Sequence, residues 1–263
     1  MTGWARVPLI GLAFVTAACA AAGPNDAQGR DAGATAGEVT VFAASSLTEA
    51  FRDLGEVLEA RRRGATVRFN FASSSDLGVQ IQEGAPADVF ASADRQQMKL
   101  VTDAGLAAEP TIFATNRLVI IVPDANPAAI HGPGDLADPG IKLVLAAPQV
   151  PAGNYARQAL SNLGVGREAE ANVVSNEEDV KAVVTKVALG EADAGIAYAT
   201  DVTADVDGSV ESLALPAEAD VVARYPIAPL SDAPNREGAK AFVELVTSRA
   251  GRRVLSEHGF GLP

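Results

Sequence analysis

The chain has one cysteine, two histidines, two methionines and one tryptophan among 263 residues, and only 5% of it is aromatic. A lone thiol builds no disulfide framework, and with His131 and His258 far apart there is no Cys/His zinc cluster. The same scarcity removes most nucleophile–base arrangements, because those two imidazoles would have to serve every dyad or triad. Positive charge is also short: 21 Lys and Arg stand against 33 Asp and Glu, a net charge of −12, which argues against a nucleic-acid partner held through phosphate contacts. What is present is globular in character, 48% hydrophobic and 21% charged, and speaks against disorder or a repeat array. The length admits one large domain or two small ones.

The first segment reads as an address. Arg6 precedes an apolar run from Val7 to Ala18. As a helix its dozen residues would rise about 18 Å, short of a hydrocarbon core of about 30 Å, so residues 1–18 are expected to be an export signal. Ala17 and Ala18 lead directly into Cys19, which resembles the processing site of bacterial lipoproteins, although Thr16 stands where leucine is usual. That resemblance implies a lipid on Cys19. Residues 19–37 lack any large apolar side chain and read as a flexible tether, which places the folded part at the extracytoplasmic face of a membrane.

From residue 38 onward a strand–turn–helix rhythm recurs. Val39–Phe42 reads as a strand, and Leu47, Ala50, Phe51, Leu54, Val57 and Leu58 as one helical face, with Ser46 and Glu49 as a capping box. Val67–Phe71 alternates like a strand and leads through Ser73-Ser74-Ser75 into a helix stopped at Gly84. Asp88–Ala91 is a third strand, after which Asp94 caps a helix with Met98 and Val101 inward. Such units predict a parallel sheet with crossover helices. Leu118–Val122 is a further strand, residues 124–140 an irregular connection, and Leu143–Ala146 a strand followed by the Pro151-Ala152-Gly153 turn and a helix. Ser175 to Glu178 suggests a second capping box, before a helix with Val180, Val183, Val184 and Val187 on its inner face. Ala194–Tyr198 is a strand, Val221–Leu230 extended chain, and Phe242, Leu245 and Val246 mark a closing helix. The pattern predicts two α/β lobes, residues 38–118 with 224–263 and residues 119–223, joined by passes near 116–124 and 221–229. One long doubly wound sheet is the other arrangement it allows.

In open parallel sheets ligands bind beyond the carboxyl ends of the strands. Here those ends carry Ser46, Ser74, Ala152 with Gly153, Val180 and Tyr198. Helix N-termini are anion sites, serine hydroxyls add donors, small residues let backbone approach closely, and a phenol at a strand end can donate. No Arg, Lys or His occupies these turns, so an anion there would be held by neutral dipoles. A fully deprotonated tetrahedral dianion needs only donors, whereas phosphate keeps a proton near neutrality and calls for an acceptor. Asp76 alone could be one, and it more naturally complements its own helix N-terminus. With no titrating group in such a pocket, affinity should be nearly flat from mildly acidic to mildly basic pH.

These segments resemble a known family. Val39–Thr48, Phe71–Ser75, Gly84–Asp94, Val150–Ala156, Glu178–Val180, Gly195–Asp201 and Gly259-Phe260 are similar, in order and spacing, to the molybdate-binding proteins of molybdate ABC transporters. The resemblance covers residues 38–263. It implies a two-lobed periplasmic binding protein of type II, each lobe a mostly parallel sheet flanked by helices, with the ligand cleft between the lobes. It implies molybdate or tungstate as ligand, a membrane permease as partner, no cofactor, no direct protein ligand to molybdenum, no catalysis and a monomer. Position by position, Ser46 and Ser74 would contact the oxyanion through hydroxyl and backbone N–H, Ala152 and Val180 through backbone N–H, and Tyr198 through its hydroxyl. A sulfate or phosphate receptor is the alternative within the class. An enzyme on the same scaffold that holds its cofactor through a cysteine is disfavoured, since the sole cysteine lies in the export region.

Overall fold

The computed structural model describes residues 37–263 apart from 204, 205, 207 and 220; the signal segment, Cys19 and the tether up to residue 36 lie outside the described residues. Three strand–helix units open the fold: β1 (Glu38–Ala44) and α1 (Thr48–Arg61), β2 (Thr66–Ala72) and α2 (Ser74–Gln82), β3 (Val89–Ala91) and α3 (Arg95–Asp103). The long strand β4 (Thr111–Pro123) follows, then β5 (Leu143–Ala146), α4 (Pro151–Asn162), α5 (Gly166–Ala171), β6 (Val173–Glu177), α6 (Val180–Ala188) and β7 (Ala194–Tyr198). Strands β8 (Val210–Ala214) and β9 (Val222–Pro229) and helices α7 (Arg236–Thr247) and α8 (Arg249–Glu257) complete the chain.

The strand order is β2-β1-β3-β9-β4-β7-β5-β6, with β8 also on β4. Two parallel groups, β2-β1-β3 and β7-β5-β6, flank an antiparallel seam of β9 and β4. Strand β4 serves both groups: Thr111–Arg117 pairs with β9, and Leu118–Pro123 pairs with β7 and β8. Residues 116–117 and 222–223, within the ranges where passes between lobes are expected, pair with one another in this seam.

The helices bury the faces their periodicity announced. In α1, Ala50, Phe51, Leu54 and Leu58 are buried, and Phe51 packs edge-on against Phe242 of α7, with centroids 5.5 Å apart, and beside Phe113 of β4 at 5.7 Å. In α6 the predicted stripe of Val180, Val183, Val184 and Val187 is buried. Burial of this kind contributes about 1.5–3 kcal/mol for each large side chain.

Several local expectations give way. Ser46 lies in a short 3-10 turn, Ser45–Leu47, ahead of α1, and no side chain caps that helix; Glu49 pairs instead with Lys181. Ser175, Asn176 and Glu177 extend β6 along β5, so the cap of α6 is Asp179, which accepts from Ala182 N–H at 2.9 Å. In both places a tertiary partner outcompetes the local one. Helices α5 and α8 and strand β8 have no counterpart in the sequence reading.

Candidate functional site

The carboxyl ends of β1, β2, β5, β6 and β7 meet at one hollow. Its wall consists of Ala44, Ser45 and Ser46 at the end of β1, Ala72, Ser73 and Ser74 at the end of β2, Ala93 after β3, Val150, Pro151 and Ala152 at the start of α4, Val180 of α6, and Tyr198 at the end of β7. All five residues picked from the sequence, Ser46, Ser74, Ala152, Val180 and Tyr198, are on this wall. The hollow has a volume of about 10 Å³, the scale of a small solute. No lining residue is charged. Asp76 sits exposed in the first turn of α2, off the wall.

Each segment is held so that a donor faces inward. Ser74 Oγ accepts from Ala93 N–H at 2.9 Å, which uses one of its two lone pairs and leaves its O–H to donate elsewhere. Ser46 Oγ lies 3.0 Å from Tyr225 Oη, which in turn accepts from Asn116 Nδ2 at 3.4 Å. Either hydroxyl of that pair can donate; when the phenol O–H is given to Ser46, the serine proton is again free for the hollow. Asn116 is itself fixed by donating to Thr200 Oγ1 at 2.8 Å.

The backbone contributes too. Helix α4 begins with Pro151, which has no N–H, and its cap Val150 offers no side-chain acceptor. The first helical bond runs from Asn154 N–H to Val150 C=O at 2.9 Å, so the N–H groups of Ala152 and Gly153 precede the ladder. A Cβ on Gly153 would stand 2.2 Å from Ala146 O and 2.3 Å from Ala147 O, so only glycine lets α4 start this close over the end of β5. In α6, Asp179 caps the third position and leaves the Val180 N–H at the mouth of the helix. The starts of α2, α4 and α6 thus point their positive dipole ends at a common centre.

Tyr198 carries the sharpest signal. Its ring is 1% exposed, and among the described residues its Oη makes no well-formed hydrogen bond, only a looser approach to the Tyr225 hydroxyl. Burial, reinforced by Tyr225, holds its hydroxyl well above the ordinary phenol range, so it stays a donor at every working pH. A buried unpaired hydroxyl costs about 1–3 kcal/mol, and one aimed at a ligand hollow is the usual reason to keep it.

Beneath Tyr198 lie residues to which the sequence reading gave no role. Asp201 is fully buried; its Oδ2 accepts from Tyr198 N–H at 3.1 Å, and its Oδ1 has no hydrogen-bond partner, with Lys181 Nζ 3.9 Å away. Burial pushes its carboxyl up to about 7, against the opposing pull of Lys181. Lys181 meanwhile grips Glu49 at 2.9 Å, tying α6 to α1. Asp201 ended one of the matched segments, but nothing in its neighbours announces burial. Tyr225 and Asn116 reach Ser46 across 179 and 70 positions of sequence, beyond any local pattern.

A small uncharged hollow ringed by helix N-termini, at strand ends on either side of an antiparallel seam, defines a receptor for a compact solute. Comparison with known proteins agrees: residues 39–261 match the family of bacterial extracellular solute-binding proteins. The chain belongs to that family. It is 42% identical over 254 residues to the molybdate-binding protein ModA of Mycobacterium bovis, covering 95% of each chain. The Escherichia coli protein of the same name is 32% identical over 233 residues, 85% of this chain and 89% of that one. Among solved structures, the periplasmic molybdate-binding protein of Azotobacter vinelandii superposes with a TM-score of 0.76 at 22% identity, over 86% of this chain and 99% of that one, and shares the fold.

Proposed function

We propose that this protein is an extracytoplasmic receptor that captures molybdate, and tungstate as its near-equal, in the hollow at the strand ends and delivers it to the permease of an ABC transporter. The observation that carries the reading is Tyr198: a buried donor with no well-formed hydrogen bond, on an uncharged wall where Ser46, Ser74, Ala152 and Val180 also converge. Each hydrogen bond to a dianion contributes about 1.5–3 kcal/mol, and the low dielectric of a closed site strengthens it. Five to seven such bonds, less closure and desolvation costs, reach micromolar to nanomolar affinity. The relatives named for molybdate support the choice of anion.

In this reading residues 38–118 with 224–263 and residues 119–223 act as two lobes that close on the ion, hinged where β4 and β9 run together. Residues 1–18 direct export, lipid on Cys19 holds the chain at the membrane, and the receptor works as a monomer without cofactor or catalysis. Sulfate is smaller and leaves the donors too far away; phosphate brings a proton that meets no carboxylate acceptor on the wall. Competition calorimetry with molybdate, tungstate, sulfate and phosphate tests this directly. Molybdate and tungstate should displace one another at similar concentration. Tighter binding of sulfate or phosphate would reverse the assignment.

A further inference from the structure

The far end of the fold carries a feature that ligand capture does not use. Arg61 ends α1, Arg62 and Arg63 follow it, and Arg249, Arg252 and Arg253 lie on α8; all six are exposed. Arg61, Arg249 and Arg253 share the rim of one hollow of about 610 Å³, which brings the two helices' arginines onto one face. Among the described residues only Arg253 of the six has an ionic partner, Glu257 at 3.7 Å, itself exposed. The nearby Glu59 is engaged by Val67 N–H at 2.7 Å. Six of 21 basic residues thus gather at one end of a chain whose net charge is −12.

The position of this face is fixed by topology. A crossover helix ends where its strand begins, so the close of α1 lies beside the start of β1. The pairing records it: Glu38 stands opposite Thr66, and Thr66 N–H reaches Gly37 C=O at 3.4 Å, directly after the arginine turn. Gly37, the first described residue, therefore lies next to the arginines. The hollow at Ser46 is at the opposite end of α1, about 20 Å away for a helix of this length. At about 0.1 M salt the Debye length is about 10 Å, so acids beyond that distance are largely screened, and Glu59 and Glu257 close by are outnumbered by the six arginines.

We infer that this arginine face rests on anionic lipid headgroups of the membrane, holding the receptor with its ligand hollow turned away from the bilayer while it waits for solute. The inference rests on the anchored, extracytoplasmic reading above. Guanidinium forks fit phosphate oxygens two at a time, and a bilayer presents many of them to a flat cluster that no single small anion could span. Delivery to a permease then requires release from the lipid, so parking and docking exclude one another.

The test uses the full chain with vesicles of phosphatidylcholine alone and of phosphatidylcholine mixed with phosphatidylglycerol. Any insertion by the apolar run at Val7–Ala18 occurs on both, so the increment from the anionic lipid is read. Each arginine near such a surface contributes about a fivefold factor. The triple variants Arg61→Gln/Arg62→Gln/Arg63→Gln and Arg249→Gln/Arg252→Gln/Arg253→Gln should each reduce that increment about a hundredfold, and raised salt should do the same to the native chain. Saturating anionic vesicles should leave the molybdate dissociation constant unchanged. Equal binding to both vesicles, native-like binding by both triple variants, or tighter arginine-dependent binding to soluble polyphosphate would overturn the inference. Vesicle binding that persists in a protein that ignores molybdate would strike the ligand reading and leave this one standing.

Discussion

Replacing Tyr198 by phenylalanine removes a single oxygen and separates two effects that point in opposite directions. In the free protein the hydroxyl makes no well-formed hydrogen bond among the described residues, only a loose approach to Tyr225, so its loss relieves a poorly satisfied buried polar atom that costs up to about 1–3 kcal/mol. The ring keeps its place against Tyr225, whose centroid is 5.8 Å away at an interplanar angle of 64°. For a domain of this size each kcal/mol shifts the melting temperature by about 2–4 °C, so the ligand-free variant should melt level with the native chain or a few degrees higher. Molybdate, by contrast, loses a donor worth about 1.5–3 kcal/mol, a weakening of about 10- to 150-fold. Differential scanning calorimetry without ligand and titration calorimetry with it give both numbers on one preparation. A variant that melts lower and binds molybdate as tightly as the native protein would mean that the hydroxyl serves the fold, and the assignment of the hollow would fail with it.

Three further outcomes follow from neighbouring atoms. The Asp201 carboxyl, raised from 3.8 to about 7 even with Lys181 pulling it down, holds a proton in the fold that the unfolded chain has already released, so stability should fall as pH rises from about 4 to 7, by on the order of 4 kcal/mol. Asp201→Asn should flatten that slope in pH-dependent thermal unfolding, and an unchanged slope would refute the assignment. Gly153→Ala should destabilise the protein by about 3 kcal/mol and displace the start of α4, because its Cβ meets Ala146 O at 2.2 Å; native melting and native molybdate binding together would contradict the close approach. Lys181→Met removes the link between α6 and α1 at Glu49, and stopped-flow release of molybdate should quicken severalfold if that link steadies the closed form.

Much of this fold was legible because burial writes itself as spacing. The valine stripe of α6 and the apolar face of α1 needed only the helical period, and Ala194–Tyr198 matches its strand end to end. The wall of the hollow was legible for a related reason: it is made of turns, and turns sit at predictable places after strands. What stayed hidden is whatever a distant segment decides. Nothing near Ser46 announces Tyr225, and nothing near Ser74 announces the Ala93 N–H that occupies one of its lone pairs. The two capping boxes failed for the same cause, since Glu49 found Lys181 and Ser175 found β5. Helix α8 buries Gly251, Val254 and Leu255 but is studded with arginine, so its short apolar face drew no notice.

The convergence of α2, α4 and α6 has a bearing on how such a receptor avoids idle traffic. Ends of like polarity repel when brought together with nothing between them, so if the two lobes close as proposed, the vacant jaws would resist shutting and only a captive anion would make the clasp comfortable. Cargo is then the mortar of the shut form, and a permease that recognises that form alone would ignore empty carriers with no separate sensor to tell it which are full.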